Sequence, residues 1–343
     1  MTPVIYLLLK INQEHEDLNM TIRAGIVGLG RWAQVLINSI HEKSEAIAIT
    51  AGCTGRKEKA RQYCYENNID LRTDLTDLIN DSGLDSIIIA TPHAQHADQI
   101  IASAEAGKNV FVEKPFTMTK KSAKRALDAC AAANVVCALG HNRRFLPNMI
   151  RLRKMVAADE FGDLLHVEAN ISSPGRNYPA DHWRSDPAQC PAGSMTGLGI
   201  HMTDALISIM GPIAQVNATS ENRLVNGVSS PVTFMTLRFV SGATGVFSTL
   251  FQTAPVWFLR TSGNQGWAAI LDNHRLATHS IRASREKIEE FTQTNIERAE
   301  LEAFAFAVKG TNPYPLSPAE ALHGVEVLEA ILLSIKTCQP VDI

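Results

Sequence analysis

The sequence predicts an α/β protein in two parts: an N-terminal parallel sheet covered by helices, then a C-terminal α/β part with a large open, mostly antiparallel sheet. Three observations predict it. Short apolar runs alternate with helical patterns from Ile22 to Leu139, as strands joined by crossover helices do. A glycine turn, Gly28-Leu29-Gly30-Arg31-Trp32-Ala33, follows the first run and opens the first helical pattern. Later, the strand-like runs Val216–Ser220, Thr233–Val240, Thr244–Phe251 and Trp257–Thr261 crowd together, with Gly242 at a hairpin turn.

The elements follow in order. Residues 1–19 read as an extension, either disordered or a short extra helix, and Pro3 to Leu9 lacks the basic start of a secretory signal. The first domain is expected over 20–145. After the strand leading into Val27, the residues Trp32, Val35, Leu36 and Ile40 have helical spacing. Strands are expected at Ile47–Cys53, Asp85–Ala90, Asn109–Val112 and Asn134–Leu139, and helices at Lys57–Cys64, Asp74–Ile79, His96–Ala106 and Lys120–Ala132. The second domain, 146–343, begins with helix Met149–Val156 and strand Leu164–Ser172. Helices over Gly193–Met210, Gln293–Val308 and Pro318–Ile335 are expected to cover one face of its sheet, leaving the other free to pair with another copy as a homodimer or homotetramer.

Bulk properties narrow the function. With 343 residues, 45% apolar and 20% charged, the chain can build two ordinary cores. A net charge of -3 gives no electrostatic reason to bind nucleic acid or an anionic membrane, and no apolar run reaches the roughly 18 residues of a membrane span. The six cysteines form no Cys-x-x-Cys pair, so free thiols in the cytoplasm are expected and no metal is.

The small residues of the glycine turn each have a physical role. Gly28 permits the tight turn, Gly30 lets backbone approach a pyrophosphate, and Ala33 lets the helix pack close to the sheet. Arg31 and Trp32 stand in the first helical turn beside them. A tight turn with no ligand is the bland alternative. At the end of the second strand an acid would favour NAD, but the residues there are Cys53-Thr54-Gly55-Arg56-Lys57. Thr54 and Arg56 favour the extra phosphate of NADP over NAD; a solvated helix start, with Glu58 nearby, is the alternative. Two further strand ends carry polar groups toward the same crevice: Thr91-Pro92-His93 with His96 beyond it, and Glu113-Lys114-Pro115.

These segments resemble the family of glucose–fructose oxidoreductase, inositol 2-dehydrogenase and the rhizopine-catabolism oxidoreductases, from Thr21 to the end. The resemblance is carried by AGIVGLGRWA, ATPHAQHADQIIASAEAGKNVFVEKP, GHNRRF and GSMTGLGIHMTDAL. It implies a Rossmann domain followed by an α/β domain with an open sheet. It places Lys114 between nicotinamide and substrate as proton carrier, often before a cis proline, and His201 beside the reactive carbon. By the same resemblance, Thr91, Pro92 and Arg144 lie near the cofactor; His96 and Glu113 are candidate cofactor contacts from their places at the strand ends. An aspartate that relatives commonly carry four residues before the histidine is Gly197 here. Thr196, Thr203 and Asp204 are the available substitutes, so Lys114 is expected to lead the acid–base chemistry and His201 to assist.

The polar, aromatic stretch Ser173–Pro191 holds Arg176, Tyr178, His182, Trp183 and Arg184. Tyr178, Trp183 and Arg184, with Asp204, are the candidate substrate contacts. The leading expectation is an NAD(P)-dependent oxidoreductase of a sugar, polyol or cyclitol. The alternatives are a dehydrogenase of a hydroxylated cyclic acid and a non-catalytic dinucleotide-binding regulator.

Overall fold

The computed structural model describes residues 20–343 except 176, 177, 180, 187, 226 and 227. The N-terminal sheet has six parallel strands: β1 (Ile22–Val27), β2 (Ile47–Cys53), β3 (Asp70–Leu71), β4 (Ser86–Ile89), β5 (Asn109–Glu113) and β6 (Cys137–Gly140). Their order is β3-β2-β1-β4-β5-β6. Ile26, Ile87, Ile88, Val110 and Phe111 are fully buried, as strands covered on both faces require. The crossover helices are α1 (Arg31–Ile40), α2 (Lys57–Glu66), α3 (Leu75–Ile79), α4 (His96–Glu105) and α5 (Lys120–Ala132). Strand order reverses between β1 and β4, which opens a ligand crevice above their C-terminal ends.

β6 starts three residues later than the apolar pattern predicts. Asn134 takes the left-handed conformation, with φ of 53°, and closes α5. Val135 N–H then donates to Cys130 O at 3.1 Å and Val136 N–H to Asn109 Oδ1 at 2.9 Å, so neither begins the strand.

The second part opens with α6 (Pro147–Ala157) and β7 (Leu164–Ser172), then a π-helical turn, Met195–Gly199, running into α7 (Ile200–Met210). Strands β8 (Ile213–Val225), β9 (Val228–Phe239), β10 (Thr244–Leu250), β11 (Val256–Gly263), β12 (Gly266–Ile270), β13 (Arg275–Ser280) and β14 (Lys287–Glu290) follow. Helices α8 (Ile296–Val308) and α9 (Pro318–Thr337) and the short β15 (Val341–Asp342) complete the chain. The nine-stranded sheet runs β14-β13-β12-β11-β7-β10-β9-β8-β15. Only β7 and β10 pair in parallel. Val167, Ile171, Met235, Phe247 and Leu259 form its buried face against Leu206, Leu328 and Ile331 of the helices. Phe234, on the other face, is 47% exposed.

Packing crosses the division expected after residue 145. Leu301, Phe304 and Ala305 of α8 lie in the first sheet's core with Ile26, Leu36 and Phe111. The rings of Phe111 and Phe304 are 5.7 Å apart. Leu316, Ala321 and Val325 join the core on the sheet's other side. Asn295 caps α8, and Ser317 with Glu320 forms a capping box on α9, so the returning segment has well-defined helix starts.

Candidate functional site

The glycine turn has the geometry of an anion cradle. Gly28 has φ of 89°, and a Cβ there would stand 2.7 Å from Ala90 O, so only glycine fits between the ends of β1 and β4. Gly28→Ala is expected to cost about 1–3 kcal/mol of stability, read by thermal unfolding, and to abolish dinucleotide binding, read by fluorescence titration. At Gly30 the opposite holds: a Cβ would meet nothing within 4 Å, leaving open space. Gly30 begins α1 with no side-chain cap and no acid in the first turn. Free N–H groups, the helix dipole and room for a ligand therefore coincide. Arg31 is exposed at this end, and Trp32 is half-buried behind it. The turn fits the pyrophosphate of a dinucleotide.

At the end of β2, Arg56 is exposed and its N–H donates to Thr54 Oγ1 at 3.3 Å. Glu58 turns away to pair with Arg61 at 3.2 Å. At the end of β4, Thr91 Oγ1 donates to Gln99 Oε1 at 2.6 Å, and Thr91 and Pro92 are half-buried.

His96 differs from expectation. It is fully buried, with Nδ1 2.8 Å from Pro115 O and Nε2 3.1 Å from Thr91 O. It packs between the two strand ends, its single N–H donating to one carbonyl, and neither ring nitrogen is left open to a cofactor. His93, which the sequence places at a polar strand end without a role of its own, extends this contact. Its Nδ1 lies 3.0 Å from Gln189 O, and its ring meets Trp183 edge-on at 4.7 Å. Burial, with His96 and Lys114 nearby, pushes His93 down to about 3.

Lys114 ends β5 at a cis Lys114–Pro115 peptide. Its Nζ donates to Gly197 O at 2.7 Å. The missing side chain at Gly197 is thus answered by the residue's own carbonyl, which lies within the π-helical turn. Desolvation lowers Lys114 to about 8 against the pull of Glu113, with Arg184 and Arg143 adding to the fall. Glu113 is buried beneath the crevice, where its Oε2 accepts from Lys114 N–H at 3.3 Å and its Oε1 has no hydrogen-bond partner among the described residues. Burial raises it to about 7, opposed by the Trp32 indole and Lys114. Below it Glu300, fully buried with both oxygens unpartnered, is held well above the ordinary carboxyl value by burial and by Glu113.

His201 lies one helical turn past Gly197. Its Nδ1 is buried without a partner, and burial, Lys114, His141 and Arg143 keep it neutral. None of the expected substitutes reaches it. Thr196 Oγ1 donates to Pro191 O and Thr203 Oγ1 to Gly199 O. Asp204 binds Arg144 instead: Arg144 Nε donates to Oδ1 and Oδ2 at 3.0 and 2.9 Å, and Nη2 to Oδ1 at 2.8 Å. Nη2 also donates to Glu320 Oε1 at 2.8 Å and Nη1 to Pro315 O at 2.9 Å.

Arg144 and Asp204, expected at the cofactor and substrate, are therefore a buried ion pair that ties the domain junction to α7 and α9. Burial would raise Asp204, but His141 and Arg144 hold it below the usual carboxylate value. His141 is the residue this arrangement adds. It follows β6, packs edge-on against His201 at 5.6 Å, and is lowered to about 4 by burial despite Asp204. Its place at a parallel strand's C-terminal end was a readable signal.

The loop after β7 brings its candidates together. Tyr178 and His182 stack at 4.5 Å, and the Arg184 guanidinium lies 4.1 Å from the Trp183 ring and 5.5 Å from Tyr178. Trp183 meets His93 edge-on at 4.7 Å, so the loop lies against the end of β4; burial, then Arg184 and Arg56, lowers His182. Arg176 falls outside the described residues. Among the described residues no helix is long and apolar enough to cross a membrane.

Comparison with known proteins agrees with this geometry. Residues 22–141 match the model of an oxidoreductase family with an NAD-binding Rossmann fold, and residues 149–269 match the GFO/IDH/MocA C-terminal domain. Scyllo-inositol 2-dehydrogenase (NAD(+)) of Bacillus subtilis is 26% identical over 94% of this chain and 96% of its own. D-xylose 1-dehydrogenase (NADP(+)) 2 of Haloferax volcanii is 26% identical over 93% and 99%. The fold of aldose-aldose oxidoreductase from Caulobacter crescentus superposes with a TM-score of 0.82 at 22% identity, covering 94% of this chain and all of that one (100%). With an anion cradle at Gly28–Gly30, a strand-end lysine facing a helix histidine, and both domains matched, the chain belongs to the GFO/IDH/MocA family of NAD(P)-dependent oxidoreductases.

Proposed function

We propose that this chain transfers a hydride between NADP or NAD and a secondary alcohol, or its ketone, of a sugar, polyol or cyclitol. The observation that carries the reading is Lys114: a lysine lowered to about 8, at a strand end, with its ammonium donating to Gly197 O. Gly28, Gly30 and the start of α1 would hold the pyrophosphate, with Arg31, Trp32, Thr91 and Pro92 along the dinucleotide. When bound, the nicotinamide accepts or supplies the hydride.

The chain's own residues move the proton. Neutral Lys114 takes the hydroxyl proton in oxidation; charged Lys114 returns it and stabilises the developing alkoxide in reduction. His201, kept neutral, can hydrogen-bond the same oxygen. Glu113 positions Lys114 from below, while Tyr178, Trp183 and Arg184 overhang the substrate. The substrate class follows the inositol and xylose dehydrogenases to which the chain is similar.

NADP is the favoured cofactor. Arg56 and Lys57 place two cations at the start of α2, against the helix dipole. A ribose phosphate there would relieve that cost, and Glu58 is engaged elsewhere. The open sheet face bearing Phe234 suits a homodimer or homotetramer, and the six free thiols suit a reducing cytoplasm.

The test is a screen of sugars, polyols and inositols at 340 nm with both cofactors. Turnover with tighter NADP binding is expected, and Arg56→Ala should cut NADP affinity about tenfold while sparing NAD. Tight dinucleotide binding with no turnover on any substrate would favour a regulator instead. Equal or tighter NAD binding would overturn the cofactor preference.

A further inference from the structure

We propose that the substrate carries a carboxylate and that Arg143 receives it. The proposal rests on the hydride-transfer reading above and adds the substrate's charge.

The charges around the crevice are one-sided. Lys114, His141 and Arg143 all act on His201 after burial. Lys114 feels Arg184 and Arg143 against Glu113. The nearby acids are committed or sealed. Asp204 is bound by Arg144, Glu297 Oε1 accepts from Asn142 Nδ2 at 2.9 Å, and Glu113 lies buried beneath the strand end. Gly197 offers only a carbonyl. A neutral polyol would leave Arg143 without a close anionic partner; an anionic substrate supplies one.

Arg143 has the shape of the receptor. It lies in the 3₁₀ turn Asn142–Phe145, two residues past His141. Its guanidinium sits 4.5 Å from the centre of the Trp257 ring. Nη1 donates to Asn273 Oδ1 at 3.0 Å. Among the described residues it has no ion-pair partner within 4.0 Å, and none of its other N–H groups is sealed away from solvent.

A planar cation is thus held by one face and one N–H, with donors left over. That is the fork to which a carboxylate binds through two parallel hydrogen bonds. Its anchors come from β11 and from the β12–β13 turn, so the fork is rigid before a ligand arrives, which limits the ordering cost of binding. Desolvation, which lowers Arg143 to about 10 against the pull of Glu297, adds to its need for an anionic partner.

Calorimetry on the enzyme saturated with oxidised cofactor tests this with three matched pairs: glucuronate and glucose, gluconate and glucitol, quinate and myo-inositol. At least one acid should bind about tenfold more tightly than its neutral partner, and Arg143→Gln should cut that ratio about tenfold, to near one. Arg143→Lys should restore it only in part, because it returns charge without the fork. Asn273→Ala, at an exposed position, loosens one anchor without touching a core and should reduce the ratio about threefold.

Absence of binding by every acid, equal affinity within all three pairs, or an Arg143→Gln effect identical for acid and neutral ligand would each overturn the proposal. So would glucose 6-phosphate binding more tightly than every carboxylate. Turnover at 340 nm of neutral sugars, with no acid bound, would sink this inference and spare the hydride-transfer reading. Acid binding without turnover on any substrate would do the reverse.

Discussion

Lys114→Ala is expected to lower turnover roughly a thousandfold, the contribution of a positioned general acid–base group, while dinucleotide affinity changes little. The lysine's Nζ reaches Gly197 O across the crevice rather than the glycine turn that would hold the phosphates. The pH profile carries the sharper test. With Lys114 lowered to about 8, oxidation needs the neutral amine, so kcat/KM for the alcohol should rise with pH through about 8 and then level. Reduction needs the ammonium and should fall over the same range. Both inflections should vanish in the variant's residual activity. Near-normal turnover, or an unchanged inflection, would remove Lys114 from the proton path.

Arg144→Met is expected to destabilise the protein by about 3–5 kcal/mol, the cost of leaving a buried carboxylate without its cation. Arg144 and Asp204 are 3% and 8% exposed in their side chains, so water cannot replace the lost partner. Glu320 loses the same guanidinium, but at 30% exposure it can be resolvated. Urea unfolding measures the loss. Adding Asp204→Asn to the variant should recover part of it, because the stranded charge is then gone. A loss under about 1 kcal/mol, the worth of an exposed pair, would show that water reaches the cluster.

Legibility differed by element for physical reasons. The Rossmann strands could be read because burial on both faces makes Ala24–Val27 and Ile87–Ile89 continuous apolar runs. Strands β12 to β14 could not. Arg275–Ser280 and Lys287–Glu290 are short and largely polar, and they become strands through pairing with neighbours. The site divides in the same way. Lys114, His201, Tyr178 and Trp183 occupy strand ends, a helix face and a loop that sequence locates. The resemblance puts Arg144 at the cofactor, and Asp204 reads as a substrate contact from the helix face it shares with His201; only the fold reveals that they satisfy one another. Glu300 reads as an ordinary solvated helix residue, and its complete burial comes from packing α8 onto a distant sheet.

That packing also constrains the order in which the molecule can assemble. The N-terminal sheet is translated first, yet one face of its core lacks Leu301, Phe304 and Ala305, and the other lacks Leu316, Ala321 and Val325. A nascent chain that has completed β6 still presents Phe111 without its partner ring. The N-terminal sheet is therefore sealed only after Val325 is made, and its exposed apolar surface must survive synthesis of strands β7 to β14.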